Sequence, residues 1–264
     1  MEPIVFIRRA YGVSDDSKNP FPLPVNIRRV DIPNIIGTST DFFKHYVCSW
    51  KVDGERVHLV FLDGLSYIVN RKDETKSMEL NHPYLDGTIF DCELIGDVVL
   101  VFDLVVCRHD TSVGLLPYHQ RHQVAGELID GMKNVKMKPI FQITEYVPTN
   151  EYKTDGVIFT PVHQRVSPQQ GMDIPIYKWK PPHEHTIDLL VRGNMLYDSS
   201  GKVYTGYFKD LGQNVVWEFR YNNGRLEHVR PRTDKERGNS RFIIDSTLES
   251  QKENILLSEL LLEK

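Results

Sequence analysis

The sequence predicts an α+β fold in two parts: a larger domain of antiparallel strands, then a small β-barrel that ends in a helix. Three observations support this prediction. Tight Asp-Gly or Gly-Asp turns join two pairs of strand-like segments in the first half of the chain. One strongly amphipathic helix follows, and short strands return after Pro181-Pro182. A period of two residues indicates strands, and a period of about 3.6 indicates helices.

Composition narrows the classes of function. The chain has 264 residues, with 32 Lys and Arg against 36 Asp and Glu, which gives a formal net charge of −4. This length allows one large domain or two modest ones. The negative charge argues against a protein that coats nucleic acid through a broad basic surface. It leaves room for a protein that handles a single nucleic-acid end in a local basic cleft.

Cysteine usage and hydropathy predict a soluble intracellular protein without a membrane partner. The 3 cysteines include no Cys-x-x-Cys pair, so we expect reduced thiols and no cysteine-rich zinc site. The most apolar run, residues 98–106, is far shorter than a membrane span and contains Asp103. The first residues lack an apolar signal core.

Turn chemistry predicts the elements of the larger part in order. The first fifty residues read as loop with short strands, because the prolines of residues 19–24 stop any helix. Asp63-Gly64 and Gly96-Asp97 each join two strands into a hairpin. The strands of the two hairpins are predicted at 57–62, 65–70, 88–95 and 98–107.

A helix and three further strands complete this part. Pro117 suits a first helical position, and Tyr118, Arg121, Ala125 and Leu128 follow at helical spacing, as does Met132. Strand-like segments are predicted at 141–147, 155–160 and 174–179.

Short strands then predict a small barrel such as an OB-fold. They lie at 186–191, 203–208, 215–221 and 225–230, with Gly- and Asn-rich turns between them. The last segment is predicted to be a helix whose capping box runs from Ser246 to Glu249. We place a domain boundary near Pro182, which divides the chain into residues 1–184 and 185–264.

The string Lys51-Val52-Asp53-Gly54-Glu55-Arg56 is the sharpest local signal for chemistry. A lysine attacks an electrophile as the free amine, which burial or neighbouring cations favour. Arg56 is such a cation by sequence, and a bound metal would be another. The alternative is a charged turn in which Asp53-Gly54 bends the chain.

Carboxylates in two other segments are candidate ligands. Asp91 and Glu93 point to one face of a predicted strand, which suits a ribose or metal contact. The alternative is the solvated side of an edge strand. Asp155 lies at the mouth of a buried strand and offers a hard oxygen ligand for Mg²⁺ or Mn²⁺, although Asp-Gly is also an ordinary turn.

Two basic segments are candidate phosphate contacts. Lys178 and Lys180 share one face of a predicted strand, which is unfavourable unless an anion such as phosphate lies there. Arg232-Thr233-Asp234-Lys235 lies in the basic stretch 230–237, where the chain could meet a polyphosphate. For both segments the alternative is plain exposure to solvent.

Taken in order, these motifs resemble those of the covalent nucleotidyltransferase superfamily, which contains mRNA capping enzymes and polynucleotide ligases. The resemblance runs from about Phe21 to the C-terminal helix. Two segments are similar to mRNA guanylyltransferases in particular: Lys-Trp-Lys-Pro-Pro with the following Thr186-Ile187-Asp188, and the Arg-x-Asp-Lys string at 232–235. One departure is Asp91-Cys92-Glu93, where the superfamily usually has Asp-Gly-Glu. Asp86-Gly87 offers a competing alignment in which threonine replaces the acid.

The resemblance implies a nucleotidyltransferase domain with ATP-grasp-like antiparallel sheets over 1–184 and an OB-fold with a C-terminal helix over 185–264. It implies that Lys51 attacks the α-phosphate of GTP to form lysyl-GMP, which passes to the 5′-diphosphate end of RNA. Mg²⁺ or Mn²⁺ would be the cofactor. The implied roles are attack by Lys51 within the motif that includes Asp53, ribose contact by Arg56, ribose and metal contacts by Glu93 and Asp155, guanine stacking by Phe102, α-phosphate contacts by Lys178 and Lys180, and orientation of the β- and γ-phosphates by Arg232, Asp234 and Lys235.

The implied partners are GTP and the RNA end. RNA triphosphatase, cap methyltransferase and RNA polymerase are candidate partners in trans, and we expect the chain to have no room for a triphosphatase or methyltransferase domain of its own. The expected location is the nucleus, or a viral replication site or the cytoplasm if the chain is viral. The runner-up function is an ATP-dependent polynucleotide ligase. A non-enzymatic alternative is an inactive nucleotide-binding scaffold subunit.

Overall fold

The computed structural model describes residues 1–18, 20–36, 46–167, 174–204, 211–222 and 225–261. These residues form two compact units. Among the described residues, the first contains Met1–Val25 and Pro33–Lys178, and the second contains Asn26–Ile32 and Trp179 to Leu261. The inclusion of Asn26–Ile32 in the second unit is not evident from the sequence. The assignment of functions to the predicted domains stays a prediction.

The first unit is mixed α and β, with more of its described residues in strands than in helices. The helices and strands, in chain order, are α1 Pro3–Ala10, β1 Val25–Asn26, α2 Ile32–Ile36, β2 Tyr46–Val52, β3 Glu55–Leu62, β4 Leu65–Asn70, β5 Thr75–Met78, β6 Thr88–Ile95, β7 Val98–Val106, α3 Tyr118–Ile129, β8 Val135–Met137, β9 Thr154–Pro161 and β10 Tyr177–Trp179. Of these, β1, α2 and β10 cross the division between the units.

Both predicted hairpins are confirmed in a six-stranded sheet of order β5-β4-β3-β6-β7-β8. Asp63 and Gly64 both have positive φ, 55° and 74°, as a tight two-residue hairpin turn requires. β6 pairs with β7 across the second turn, where Gly96 has φ 57°. The core of this sheet is formed by buried side chains that include Leu59, Phe90 and Val101.

The predicted helix is confirmed as α3, which contacts β7 and β8. Pro117 is its N-cap residue, one position earlier than predicted. The buried face includes Arg121, whose guanidinium forms two hydrogen bonds to Asp103 at 2.7 and 2.8 Å. This pair ties α3 to β7, the strand that carries Phe102.

A second sheet has the order β1-β10-β9-β2. It brings together strands that are far apart in the chain, and β2 pairs with β9 in antiparallel register. Three motif residues lie on this sheet: Lys51 on β2, Asp155 on β9 and Lys178 on β10. The predicted strand at 155–160 is therefore confirmed, and the one at 174–179 is confirmed in its last three residues.

Two predictions for the first unit are wrong. The helix α1 lies in a region predicted to be loop and short strands, and it buries Phe6 and Ile7. Its sequence is short and begins with a proline, which hides the helical period. Residues 141–147 do not form a strand: Phe141 makes an isolated bridge to Cys48, and Ile143–Glu145 is a single 3-10 turn.

The second unit contains a five-stranded sheet of order β13-β12-β11-β14-β15. Among the described residues this sheet is open, because β13 and β15 are its edges, so the predicted closed barrel is not observed there. The predicted strand at 203–208 appears as two residues, and its remainder lies outside the described residues. The strands are β11 Thr186–Arg192, β12 Met195–Tyr197, β13 Val203–Tyr204, β14 Val215–Asn222 and β15 Arg225–Pro231.

The C-terminal segment contains the helices α4 Arg241–Glu253 and α5 Leu257–Leu260. The predicted capping box is wrong, because Ser246 lies inside α4. Ser240 is the N-cap instead, and its side chain accepts a hydrogen bond from the Ile243 amide. Asn254 ends the helix in the left-handed conformation. In the described part of the chain, every helix is too short or too polar to cross a membrane.

Candidate active site

Lys51 and Asp155 form an ion pair in the first unit. The Lys51 Nζ atom lies 2.7 Å from Asp155 Oδ1, although the residues are 104 positions apart in the chain. The two side chains are 22% and 20% exposed, so the pair is half-buried and open on one side. An amine held by a carboxylate, and still reachable from solvent, can meet an incoming electrophile.

Irregular strand pairing places these two side chains opposite each other. Trp50 pairs with Val157 and Val52 pairs with Thr154, so Lys51 on β2 faces two residues, Asp155 and Gly156, on β9. A bulge of this kind redirects a side chain out of the regular alternation. Gly156 has φ 154°, a conformation that favours glycine, which explains why Asp155 is followed by glycine.

The turn after Lys51 packs closely against β6. A Cβ atom on Gly54 would lie 2.7 Å from Glu93 Cγ and 2.8 Å from the Leu94 carbonyl oxygen, so only glycine fits. Asp53 lies on the outside of this turn and pairs with Lys153 Nζ at 2.5 Å. Gly54 thus allows the turn after Lys51 to pack against β6, the strand that carries Glu93.

Arg56 is half-buried, with 14% of its side chain exposed, and it is paired with Asp91. Its Nε donates to Asp91 Oδ1 at 2.9 Å and its Nη2 donates to Oδ2 at 2.6 Å, a bidentate arrangement. Asp91 is 2% exposed, which excludes the solvated-edge alternative for that carboxylate. Burial disfavours the charged guanidinium, but the Asp91 carboxylate nevertheless raises the pKa of Arg56 above its ordinary value.

Phe102 lies at a second bulge. Asp91 pairs with Asp103 and Cys92 pairs with Val101, which leaves Phe102 as the extra residue on β7. Its ring centroid is 5.2 Å from Arg56 Cζ and 5.2 Å from Lys138 Nζ. The ring that was predicted to stack on a base is therefore contacted by two cations, as cation–π pairs require.

Lys138 is a residue that the sequence did not single out. It follows the short strand β8, is 4% exposed, and its amide donates to the Val101 carbonyl at 2.7 Å. Burial lowers the pKa of its amine to about 8, although Glu93 opposes this shift. Because β8 has three residues, it offers too little alternation to mark Lys138 as a buried residue beforehand.

Glu93 lies among these cations. Burial raises the pKa of its carboxyl above the ordinary value, while the positive charges of Lys138, Arg56 and Lys51 oppose the rise. Glu93 and Asp155 are the predicted metal ligands. In the described ranges no three His, Cys, Asp or Glu side chains cluster as a metal site, so a cage made entirely of protein ligands is not present there. The two carboxylates suit Mg²⁺ or Mn²⁺, which is usually held by one or two carboxylates together with substrate phosphates.

Lys178 on β10 and Lys180, which follows that strand, belong to different compact units. Lys178 is half-buried in the first unit, on the sheet that also carries Lys51 and Asp155. Lys180 is half-buried at the start of the second unit. Their predicted shared role at an α-phosphate stays a prediction.

The basic string of the second unit forms one ion-pair cluster. Arg232 Nη1 donates to both carboxylate oxygens of Asp188, at 3.1 and 3.2 Å, and Lys235 Nζ donates to Asp188 Oδ2. Arg232 also makes two hydrogen bonds to Asp234, at 2.9 and 2.8 Å. These bonds hold the pKa of Asp234 well below its ordinary value.

Asp188 is the centre of that cluster. The sequence places Asp188 in a motif but does not predict it as a site residue. It is 5% exposed on β11, and its backbone amide donates to Asn239 Oδ1 at 2.7 Å. The solvated-face alternative for 232–235 is therefore wrong for Arg232, which is 20% exposed.

Comparison with known proteins bears on the class of this chain. It is 30% identical over 201 residues to the mRNA-capping enzyme subunit alpha of Neurospora crassa, a match that covers 57% of this chain and 49% of that protein. It is 24% identical over 220 residues to the mRNA-capping enzyme of Caenorhabditis elegans, covering 67% and 34% respectively. The chain thus spans about half, or less, of these relatives' own length. No family profile matches the chain.

A solved structure, mycobacterial DNA ligase D complexed with ATP and MES, is similar with a TM-score of 0.49 and 14% identity. That match covers 83% of this chain and 97% of the ligase chain. At this similarity, no residue role of the ligase is carried over.

The chain is a homologue of proteins named mRNA-capping enzyme. Those names agree with the resemblance to mRNA capping enzymes that the order of the motifs indicates.

Proposed function

We propose that the protein is an mRNA guanylyltransferase that transfers GMP from GTP to the 5′-diphosphate end of RNA. The observation that carries this proposal is the half-buried pair of Lys51 Nζ and Asp155 Oδ1, 2.7 Å apart on facing strands. Both residues belong to motifs that resemble those of the superfamily. The sequence relatives named mRNA-capping enzyme support the same reading.

In the first step, Lys51 acts as the nucleophile. Its free amine attacks the α-phosphorus, a nitrogen–phosphorus bond forms, and the bond to the bridging oxygen breaks so that pyrophosphate leaves. Asp155 orients Nζ through the ion pair, which opens as Nζ gives a proton to solvent; Nζ gives up a second proton as the nitrogen–phosphorus bond forms. In the second step, a terminal oxygen of the RNA diphosphate attacks the same phosphorus, the nitrogen–phosphorus bond breaks, and Nζ takes up two protons from solvent, which regenerates Lys51.

The other motif residues bind and neutralise the nucleotide. Phe102 would stack on guanine and Arg56 would contact the ribose, while Lys178 and Lys180 would hold the α-phosphate. Asp155 and Glu93 would hold Mg²⁺ or Mn²⁺, which when bound supplies positive charge beside the phosphates.

The cluster at 232–235 would orient the β- and γ-phosphates. This is the role that the resemblance gives to Arg232, Asp234 and Lys235 of the predicted OB-fold. Asp188 keeps two of these cations together through its carboxylate. Triphosphate oxygens would compete with Asp188 for the same N–H groups.

The proposed partners are GTP and an RNA 5′-diphosphate end, with RNA triphosphatase, cap methyltransferase or RNA polymerase acting in trans. The eukaryotic relatives fit a nuclear location. A viral replication site or the cytoplasm is the expected location if the chain is viral.

Incubation with α-labelled GTP or α-labelled ATP and MgCl₂ or MnCl₂, followed by denaturing electrophoresis, tests the proposal. We expect a labelled protein band with GTP that acid releases and that diphosphate-ended RNA chases into a GpppN cap. A band with ATP instead would replace the proposal with a polynucleotide ligase. No band with either nucleotide would leave an inactive nucleotide-binding scaffold subunit.

A further inference from the structure

Arg56 is contacted by a segment far from it in the sequence. Its Nη1 donates to the Pro22 carbonyl oxygen, 34 residues away, and its Cζ lies 5.1 Å from the centroid of the Phe21 ring. Phe21 is 3% exposed, so its ring is part of the interior. All of these residues belong to the first compact unit. We call Phe21-Pro22 the Arg56 strap.

The strap completes the fixation of the guanidinium. Arg56 already donates from Nε and Nη2 to the two oxygens of Asp91. With the bond from Nη1 to Pro22, three of its five N–H groups are used. The two that remain, one on Nη1 and one on Nη2, have directions set by the planar fork. An arginine without such contacts would lose rotamer entropy when it bound a ligand.

The Phe21 ring of the strap is itself packed against a buried histidine. The Phe21 ring stacks on the imidazole of His58, with centroids 4.1 Å apart and planes 5° from parallel. His58 is fully buried and shares a hydrogen bond with the Tyr11 hydroxyl at 3.1 Å, while its Nδ1 has no hydrogen-bond partner in the described residues. A buried polar atom left unpaired costs free energy. The His58 ring therefore stacks on Phe21 although its unpaired Nδ1 lowers the stability of the fold.

The imidazole beside Arg56 is uncharged. Burial lowers the pKa of His58 well below its ordinary value, and the positive charge of Arg56 lowers it further. Phe21 contacts both the His58 ring and the Arg56 guanidinium, and a neutral imidazole does not repel that guanidinium. Apolar packing alone would have been served equally well by leucine or valine at position 58.

We infer that the Arg56 strap is a positioning element: Phe21 and Pro22 orient the two remaining N–H groups of Arg56 for the nucleotide. Phe21 acts through Arg56 and does not touch the substrate. The inference rests on the proposed function, in which Arg56 contacts the nucleotide. It adds residues outside the recognised motifs to the nucleotide site, and it assigns the N-terminal segment a part in substrate affinity.

The test is a double-mutant cycle on formation of the GMP adduct. Phe21→Leu keeps apolar volume but removes the ring face, and we expect the KM for GTP to rise about fivefold to tenfold with kcat nearly unchanged, because oriented binding is lost. In an Arg56→Met background, Phe21→Leu should change KM less than about twofold. Phe6→Leu, the same change in the buried face of α1, is the matched control and should leave KM unchanged.

A second measurement does not depend on activity. The NMR signal of the Arg56 Nε–Hε group, assigned with Arg56→Lys, should exchange with solvent about tenfold faster in Phe21→Leu than in wild type, and at the wild-type rate in Phe6→Leu. Phe21→Met serves if the leucine variant does not fold.

Multiplicative effects of the Phe21 and Arg56 changes on KM would overturn the inference, and so would unchanged exchange in the Phe21 variants. If wild type forms no adduct, the proposed function fails, and the exchange measurement still decides whether the strap positions Arg56.

Discussion

Asp188 and Arg232 are joined by two hydrogen bonds in the second compact unit, from Nη1 to Oδ1 at 3.1 Å and to Oδ2 at 3.2 Å. Lys235 donates to the same carboxylate. Asp188 is nearly fully buried, whereas both cations remain partly exposed. One buried carboxylate thus holds together the two cations that the proposed function assigns to triphosphate binding.

Asp188→Asn should destabilise the protein. The amide keeps the shape but leaves Arg232 and Lys235 without their shared counter-charge, and we expect a loss of about 1–3 kcal/mol in the free energy of unfolding. Urea denaturation followed by circular dichroism measures it. Asp245→Asn is the control, since Asp245 and Arg241 form an exposed pair whose loss should cost less than about 0.5 kcal/mol. Equal losses in the two variants would contradict the central role of Asp188.

Lys51→Ala and Lys51→Arg should both abolish the GMP adduct while the protein stays folded. Arginine keeps the positive charge and the contact with Asp155 but does not deprotonate, so it separates nucleophilicity from electrostatics. Denaturing electrophoresis with α-labelled GTP is the measurement. Lys153→Arg, at an exposed lysine that pairs with Asp53, should keep the adduct. A labelled band from either Lys51 variant would remove Lys51 from the mechanism.

Asp155→Asn should reduce the rate of adduct formation by more than about tenfold, since it removes both the partner of Lys51 and a hard oxygen ligand. A chelator should abolish the adduct in wild type, and added MgCl₂ or MnCl₂ should restore it. Asp97→Asn, in an exposed hairpin turn, is the matched control. Full activity of wild type in chelator would exclude the metal, and full activity of Asp155→Asn would exclude that residue.

Arg232→Ala and Lys235→Ala should slow formation of lysyl-GMP much more than its transfer to RNA. The β- and γ-phosphates are present in GTP but leave as pyrophosphate after the first step. The first reaction is assayed from GTP, and the second by isolating the adduct and chasing it with diphosphate-ended RNA. Arg225→Ala, at an exposed arginine of β15, controls for general loss of positive charge.

Equal loss of both reactions in these variants would assign Arg232 and Lys235 to RNA binding or to stability. Wild-type rates in both reactions would show that the basic residues of 230–237 have no part in either reaction.

Gly54→Ala should impair both folding stability and adduct formation. The added Cβ would lie 2.8 Å from the Leu94 carbonyl oxygen, which is backbone and cannot turn aside. We expect a loss of about 1–3 kcal/mol in the free energy of unfolding from overpacking. Thermal melting and the labelling assay measure the two effects. Gly126→Ala, inside α3, is the control, because its backbone is not left-handed and a Cβ there meets only Met137 Cγ at 3.5 Å, an ordinary contact. Wild-type stability of Gly54→Ala would show that the turn can move away from β6.

Local signals were sufficient for several elements. Asp63-Gly64 and Gly96-Asp97 marked both hairpins because the required φ angles are a property of the turn residues themselves. Local signals failed at 141–147, where a strand-like pattern forms a 3-10 turn, and at Ser246, whose capping pattern lies inside α4. At 141–147 a bridge from Phe141 to Cys48, which is distant in the chain, replaces a continuous strand. At Ser246 the helix has already begun, because Ser240 is its N-cap.

The sequence by itself determined the order of the motifs, which carries the resemblance to the covalent nucleotidyltransferases. It also determined both hairpins and α3, because turn chemistry and periodicity act over a few residues. The tertiary structure alone decided which side chains meet. Lys51 reaches Asp155, and Arg56 reaches Asp91, through strand register and bulges that bring residues distant in the chain into contact. A shift of one residue in register would turn these side chains to the opposite face, so their pairing is a property of the assembled sheets.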